Sequence, residues 1–363
     1  MAVDYRSRQL RKYQNDFTTR FAQMMSKQLS IWKEVQKQKC KSLYNWQSIL
    51  TYIGISLLAY IPGKRETHYN LELHFYLSIV FFIGAVIQNI ASTNKDYQNS
   101  IKSMLFPALV KVFGDDIHYV CGNIYDMTDA LSSGFLNSKD AANIITALGE
   151  ESNSNSGYRI RDNIFECSQL YPREITQRED DDRFYGKYND VEFIINETDF
   201  GWNENDKHRT YHSMFKGVAM HFKLNKEIKQ RVLIMSKKIF NKVPKGFEKV
   251  EVEYTKFAQK YNVYVFNSGT STDSGQIEAR YLLNTAFLDR FMQLHTSFAV
   301  PKLQCSVYGN QMLIMLSTRK DLFELNHLFG RIDDIRQYKH LFEEFASVLS
   351  FIDVLNLSSK TKL

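Results

Sequence analysis

Apolar side chains follow three patterns along this chain, and each pattern predicts a different element. Between Leu10 and Val35 they recur at Leu10, Tyr13, Phe17, Phe21, Met24, Ile31 and Val35. Spacings of three and four residues put these on one face of a helix. From Gln47 to Pro62, and again from Leu73 to Ala91, the polar face disappears. From Val191 onward the pattern shortens to β-branched and aromatic runs, which predict strands.

A helix that crosses a bilayer needs about 20 mostly apolar residues. Leu73–Ala91 supplies nineteen, eleven of them Leu, Ile, Val or Phe. At roughly −0.3 to −0.6 kcal/mol each, these favour insertion. Gln47–Pro62 is shorter, with seven Leu or Ile residues, and Pro62-Gly63 stops it. The two segments predict a transmembrane helical hairpin; the competing reading is a hairpin buried in a soluble core. Lys33, Lys37, Lys39 and Lys41 precede the first segment, Lys95 and Lys102 follow the second, and Lys64 and Arg65 lie between. Flanking cations face the cytoplasm, so both termini are expected there.

Beyond the hairpin, Lys95–Leu131 reads as helical with a bend at Pro107, and Ser138–Leu148 as a short helix. The run Glu150–Gly157 is a polar loop. Strands are expected at Val191–Asn196, Gly217–Phe222, Arg231–Met235, Val250–Tyr254 and Val263–Phe266. Leu303–Tyr308 and Gln311–Leu316 flank Gly309-Asn310, a pair suited to a two-residue hairpin turn. Gly275–Ser297, Lys320–Leu325 and Arg331–Leu357 read as helical. Strands and helices mix without strict alternation, so the fold class is α+β. The domains are a basic amphipathic arm (1–45), the hairpin (46–92), a helical connector (93–150) and a soluble α+β domain (151–363).

Charge changes this picture at one end only. The net charge is +6 over 363 residues, and residues 1–45 alone carry ten Lys/Arg against three Asp/Glu. The arm suits packing on the soluble domain or on a neighbouring chain, or lying on an anionic leaflet. No nucleic-acid module accompanies it. A mean hydropathy of −0.36 argues against a polytopic transporter. Cys40, Cys121, Cys167 and Cys305 form no CxxC pair, which fits reduced thiols in a cytoplasm. The late apolar onset is unlike a cleavable signal peptide.

Candidate chemistry is sparse. No phosphate-binding loop, dinucleotide turn or nucleophile elbow is present, so no catalytic residue, metal ligand or cofactor is assigned. His208 and His212 have i, i+4 spacing, and His221 follows, without a carboxylate to complete a ligand set. Glu179–Asp182 is a run of four acids that reads as a solvated loop or strand edge. Arg280 is the one candidate ligand-binding residue, since a guanidinium fork suits carboxylate or phosphate; its structural alternative is an ion pair with Glu251 or Glu253.

Several segments carry a family resemblance. They are Asp181–Lys187 with Val191–Phe193 and Glu197-Thr198, then Met214–Gly217, Val250–Phe257 through Tyr261–Phe266, Ile277–Leu288 and Asp321–Glu324. In this order they resemble a bacterial family known as domain of unknown function 3137, over roughly residues 40–357. Asn284-Thr285 stands where the family often shows Thr-Pro, and Asn267–Gly275 is an expanded polar loop. The resemblance implies a membrane-anchored bacterial protein with a cytoplasmic α+β domain, and it transfers no catalytic residue. The expected function is a non-enzymatic scaffold or regulator at the bacterial inner membrane that binds a partner protein or forms a homo-oligomer. The alternatives are binding of a small anionic ligand or lipid headgroup, and an enzyme of unrecognised type acting at the membrane.

Overall fold

The computed structural model describes residues 31–41, 71–120, 159–267, 272–320 and 336–360, apart from short gaps within them, and isolated positions elsewhere. Its first long element is helix α1 (Leu71–Val110), 40 residues without a break. Strands β1 (Ile117–Val120), β2 (Gln177–Tyr188), β3 (Val191–Asn203), β4 (Tyr211–Ser236), β5 (Phe247–Val250), β6 (Tyr261–Phe266) and β7 (Lys302–Ser317) follow. Helices α2 (Asp162–Cys167), α3 (Thr255–Ala258), α4 (Thr272–Leu282), α5 (Thr285–Ser297) and α6 (Arg336–Lys360) are set among and after them. The strands make one sheet in the order β1-β2-β3-β4-β6-β5, with β7 on the other edge of β4. Every described pairing is antiparallel. The class is α+β.

Alternation of side chains along the strands divides the core in two. On one face Phe193, Ile195, Met220, Phe222, Val232, Ile234 and Ile314 meet Phe287 and Phe291 of α5 and Phe345, Leu349 and Ile352 of α6. On the other, Phe200, Phe215, Leu233 and Met315 pack under Ile160, Phe165 and Leu170, around α2. The lower half of α1 joins the first face through Tyr97, Ile101, Phe106, Leu109 and Val110.

The structure differs from the sequence reading at several elements. Lys95–Leu131 is not a continuous helix: α1 ends at Val110, and Ile117–Val120 is strand β1, paired with β2. Gly217–Phe222 and Arg231–Met235 are two ends of β4, and Leu303–Tyr308 and Gln311–Leu316 two ends of β7. No hairpin forms at Gly309-Asn310. The polar residues between the halves of β4 form bulges rather than a turn, with register shifts between Lys223 and Ile228 and between Ile228 and Val232. Gly309, at φ 60°, lets β7 follow the bend. The bulge is held by Glu278 of α4, whose carboxylate accepts from the Lys229 and Gln230 amides at 3.1 and 3.0 Å. The two-residue hairpin lies instead at Asn189-Asp190, where φ is 46° and 65° and Tyr188 pairs with Val191. That is the type I′ geometry which matches strand twist.

Val250–Tyr254 is strand only to Val250, and Lys320–Leu325 is not helical at its described positions, where Phe323 has φ 59°. Gly275–Ser297 is two helices. Asn284 ends the link between them, its side chain accepting from the Phe287 amide at 2.9 Å. Asn caps as well as Thr does, so the departure from the family pattern leaves this helix start intact. Ser138–Leu148 and Glu150–Gly157 lie outside the described residues.

A transmembrane hairpin does not follow from the described structure. Among the described residues, no helix is long and apolar enough to cross a membrane. Gln47–Pro62, Gly54 apart, lies outside those residues, and so do several side chains of Leu73–Ala91.

Helix α6 carries a buried acid. Burial pushes the Glu344 carboxyl from an ordinary value near 4.5 up to about 8, and the neighbouring Glu343 pushes the same way. A raised carboxyl keeps its proton in the folded state after the unfolded chain has lost it. Its contribution to stability is therefore full below about pH 4.5 and is lost as pH rises to about 8. Glu344→Gln is expected to flatten the fall in urea midpoint between pH 5 and pH 8.5. An unchanged slope would place that pH dependence on other groups.

Candidate functional site

Two arrangements at the base of the domain bring together residues far apart in sequence. The first is built on the bulge of β2. Asp180 lies opposite Thr198 and Arg183 opposite Asn196, so β2 has one extra residue between them. The extra residue reverses the alternation of side chains. Asp182 then turns to the α5/α6 face, while Arg178, Asp180 and Arg183 share the α2 face.

Asp182 is wholly buried, and one carboxylate oxygen lies 2.7 Å from Nζ of Lys102 on α1, itself buried. The Tyr119 hydroxyl on β1 donates to the other oxygen. Burial pushes the Asp182 carboxyl up to about 7, against the pull of Lys102 and of both hydrogen bonds; the neighbouring Asp181 adds to the rise. Three elements thus close on one side chain. On the other face Asp180 meets Arg178 at 2.8 Å, Arg159 at 3.0 Å and Arg183 at 3.7 Å. Arg178 also reaches Asp162 at 2.8 Å. Burial lowers the hold of Arg183 on its proton; Asp180 opposes this and the two neighbouring guanidiniums add to it.

Glu179–Asp182 is therefore solvated only in part: Glu179 is exposed and Asp181 half-buried, while Asp180 and Asp182 are drawn inward by cations from α1, from β2 itself and from the segment before α2. The sequence shows the acids but not that these partners converge on them. The pairing also takes Lys102, one of the cations flanking the second apolar segment, inside the domain.

The second arrangement is a neck. Residues 31–41 are helical and pack on the domain through Trp32, fully buried, with Gln36 and Cys40 on the same side. The arm's packing face in this stretch is not the Ile31/Val35 stripe; Ile31 is exposed. Nε2 of Gln36 donates to the carbonyl oxygens of Leu328 and Gly330 at 2.6 and 2.8 Å. Oδ1 of Asn94 accepts from the Leu328 amide at 2.7 Å. The arm helix and α1 thus meet the backbone of the same residue, Leu328. Above Asn94 the described side chains of α1 change character: Tyr76, Ile79, Val80, Phe82, Ile83, Ile87 and Ile90 are all exposed. Patches of this kind on a folded protein mark contacts with a membrane or another protein.

The remaining candidates lie elsewhere. Arg280 is exposed on α4, while Glu251 pairs with Lys249 at 2.8 Å. The inward-turned side chain of that stretch is Glu278, not Arg280. His212 stacks on Trp202 (ring centroids 4.4 Å apart) and meets Glu204 at 3.2 Å. His221 is largely buried against Gln311, and burial lowers its affinity for a proton. His208 lies outside the described residues. Among the described residues no three His, Cys, Asp or Glu side chains are grouped to hold a metal.

Residues 213–357 match the family described as "Protein of unknown function (DUF3137)". The match begins later than the resemblance read from the sequence, which reached back to about residue 40. No curated protein sequence matches the chain. Among solved structures, the crystal structure of the mycobacterial trehalose monomycolate transport factor A, TtfA, is similar at 11% identity. That likeness covers 56% of this chain and 91% of the other, with a TM-score of 0.29, and at that score it carries no argument.

Proposed function

We propose that this chain, a member of the DUF3137 family through residues 213–357, is a membrane-anchored, non-enzymatic scaffold or regulator whose α+β domain binds a partner protein. The observation that carries the anchoring is the neck: residues on either side of the 44–93 stretch meet the backbone of one residue, Leu328. Flanks held at one point suit a helical hairpin between them, since a hairpin puts both flanks on the same side of a bilayer. Further support comes from α1, whose residues 76–90 expose large apolar side chains while the same helix is buried from Tyr97 downward. The setting that fits the flanking lysines is the cytoplasmic face of a bacterial inner membrane.

Binding of a partner is favoured over chemistry because the charged groups at the base are used in holding elements together. Asp182 is closed off by Lys102 and Tyr119, which suits a structural lock. The test is to wash membranes holding the full chain with alkaline carbonate, then extract them gently and record native mass spectra. The chain is expected to resist carbonate and to appear in an assembly heavier than 42.5 kDa. Release by carbonate would remove the anchor, and a bare monomer would remove the scaffold.

A further inference from the structure

Cations from separate parts of the chain gather at the neck. Lys33, Lys37 and Lys41 are spaced by four along the 31–41 helix, all exposed. Lys95 follows Asn94 on α1 and is exposed, and Arg331 follows Gly330 and is exposed. The bonds from Gln36 to Gly330 and from Leu328 to Asn94 bring these backbones together. In the same stretches the exposed acids are Glu34 and Asp96. Among the described residues, exposed cations therefore outnumber exposed acids at the neck, on a rim contributed by the arm, α1 and the segment at 328–331.

We infer that this rim is a basic collar that binds the anionic phospholipid headgroups of the bilayer around the anchor. The inference rests on the anchored reading and adds a ligand class and residues to it. Height supports lipid over an acidic protein as the occupant. Lys95 lies four residues past Ala91 on α1. At about 1.5 Å per helical residue it sits about 6 Å from that apolar stretch. That is the depth of the headgroup layer outside the hydrocarbon core. Cations at this height are attracted to an anionic leaflet and cannot follow it beyond a Debye length. Arg280, on α4, is not part of the rim.

The experiment uses the full chain in mild detergent, titrated with phosphatidylglycerol or phosphatidylcholine and followed by native mass spectrometry. The wild type is expected to retain phosphatidylglycerol preferentially. Each cation removed should weaken that retention roughly fivefold, so K37Q/K41Q/K95Q should lose on the order of a hundredfold. Because the three side chains are exposed, the urea midpoint should not move. Equal retention of both lipids by the wild type would overturn the collar, and so would undiminished preference in the triple variant. Alkaline carbonate separates this outcome from failure of the anchor. A chain that carbonate releases but that still prefers anionic lipid through these lysines keeps the collar and loses the span. A chain that resists carbonate without any preference keeps the span and loses the collar.

Discussion

Lys102→Met is expected to destabilise the folded chain by about 3–5 kcal/mol, the loss that follows when one partner of a buried ion pair is removed. Asp182 would stay in a site that is 0% exposed, with the Tyr119 hydroxyl as its remaining described donor. The loss should depend on pH in a definite direction. Burial already raises the Asp182 carboxyl to about 7 with Lys102 in place, and Lys102 pulls it down. Without that ammonium the carboxyl rises further, so the folded variant binds a proton that the unfolded chain gives up near pH 4. The defect should be largest at pH 8 and smaller at pH 5. Adding Asp182→Asn to Lys102→Met should remove the pH dependence and recover part of the stability, since an amide can still accept from Tyr119. Urea denaturation of the three proteins at the two pH values decides the matter. A pH-independent loss below 1 kcal/mol would mean that α1 is held by its apolar face alone.

Ile83→Arg is the second large effect. Ile83 lies near the middle of Leu73–Ala91 and is exposed. In water such a surface change should alter stability by no more than about 0.5 kcal/mol. At the centre of a span it should cost about 3–4 kcal/mol, because Ile favours insertion and Arg opposes it. Retention in carbonate-washed membranes should then fall on the order of a hundredfold, with the soluble domain still folded. Full retention with unchanged stability would show that the apolar row of α1 faces a protein or water, and the span would be abandoned.

How far the sequence could be read depended on whether a signal was local. β3 and β6 were legible because each is a short run of β-branched and aromatic residues, and α6 because Phe345, Leu349 and Ile352 repeat at helical spacing. The long strands β4 and β7 were cut in two. Lys223–Gln230 sets six polar residues around Leu224 and Ile228, and polar residues in a bulge look like those of a turn. The arm shows the same limit on a finer scale. Trp32 stands next to Ile31, and periodicity alone cannot say which of two adjacent stripes finds a partner. The lock at Asp182 was beyond reach for a different reason. Its lysine is 80 residues away, and the bulge that turns Asp182 from the face of Asp180 leaves no mark in composition.

The unbroken run of α1 from Leu71 to Val110 has a mechanical meaning if its upper half lies in lipid. At about 1.5 Å per residue it is a shaft roughly 60 Å long. It has no glycine or proline between Gly84 and Pro107 to serve as a universal joint, and Lys102 bolts its lower end to the sheet. Any tilt that a thicker or thinner bilayer imposes on the shaft would reach β2 undiminished. A residue inserted near Ser92 would swing the whole domain by about 100° about the shaft. A bound partner would therefore meet a surface whose heading is set by the membrane.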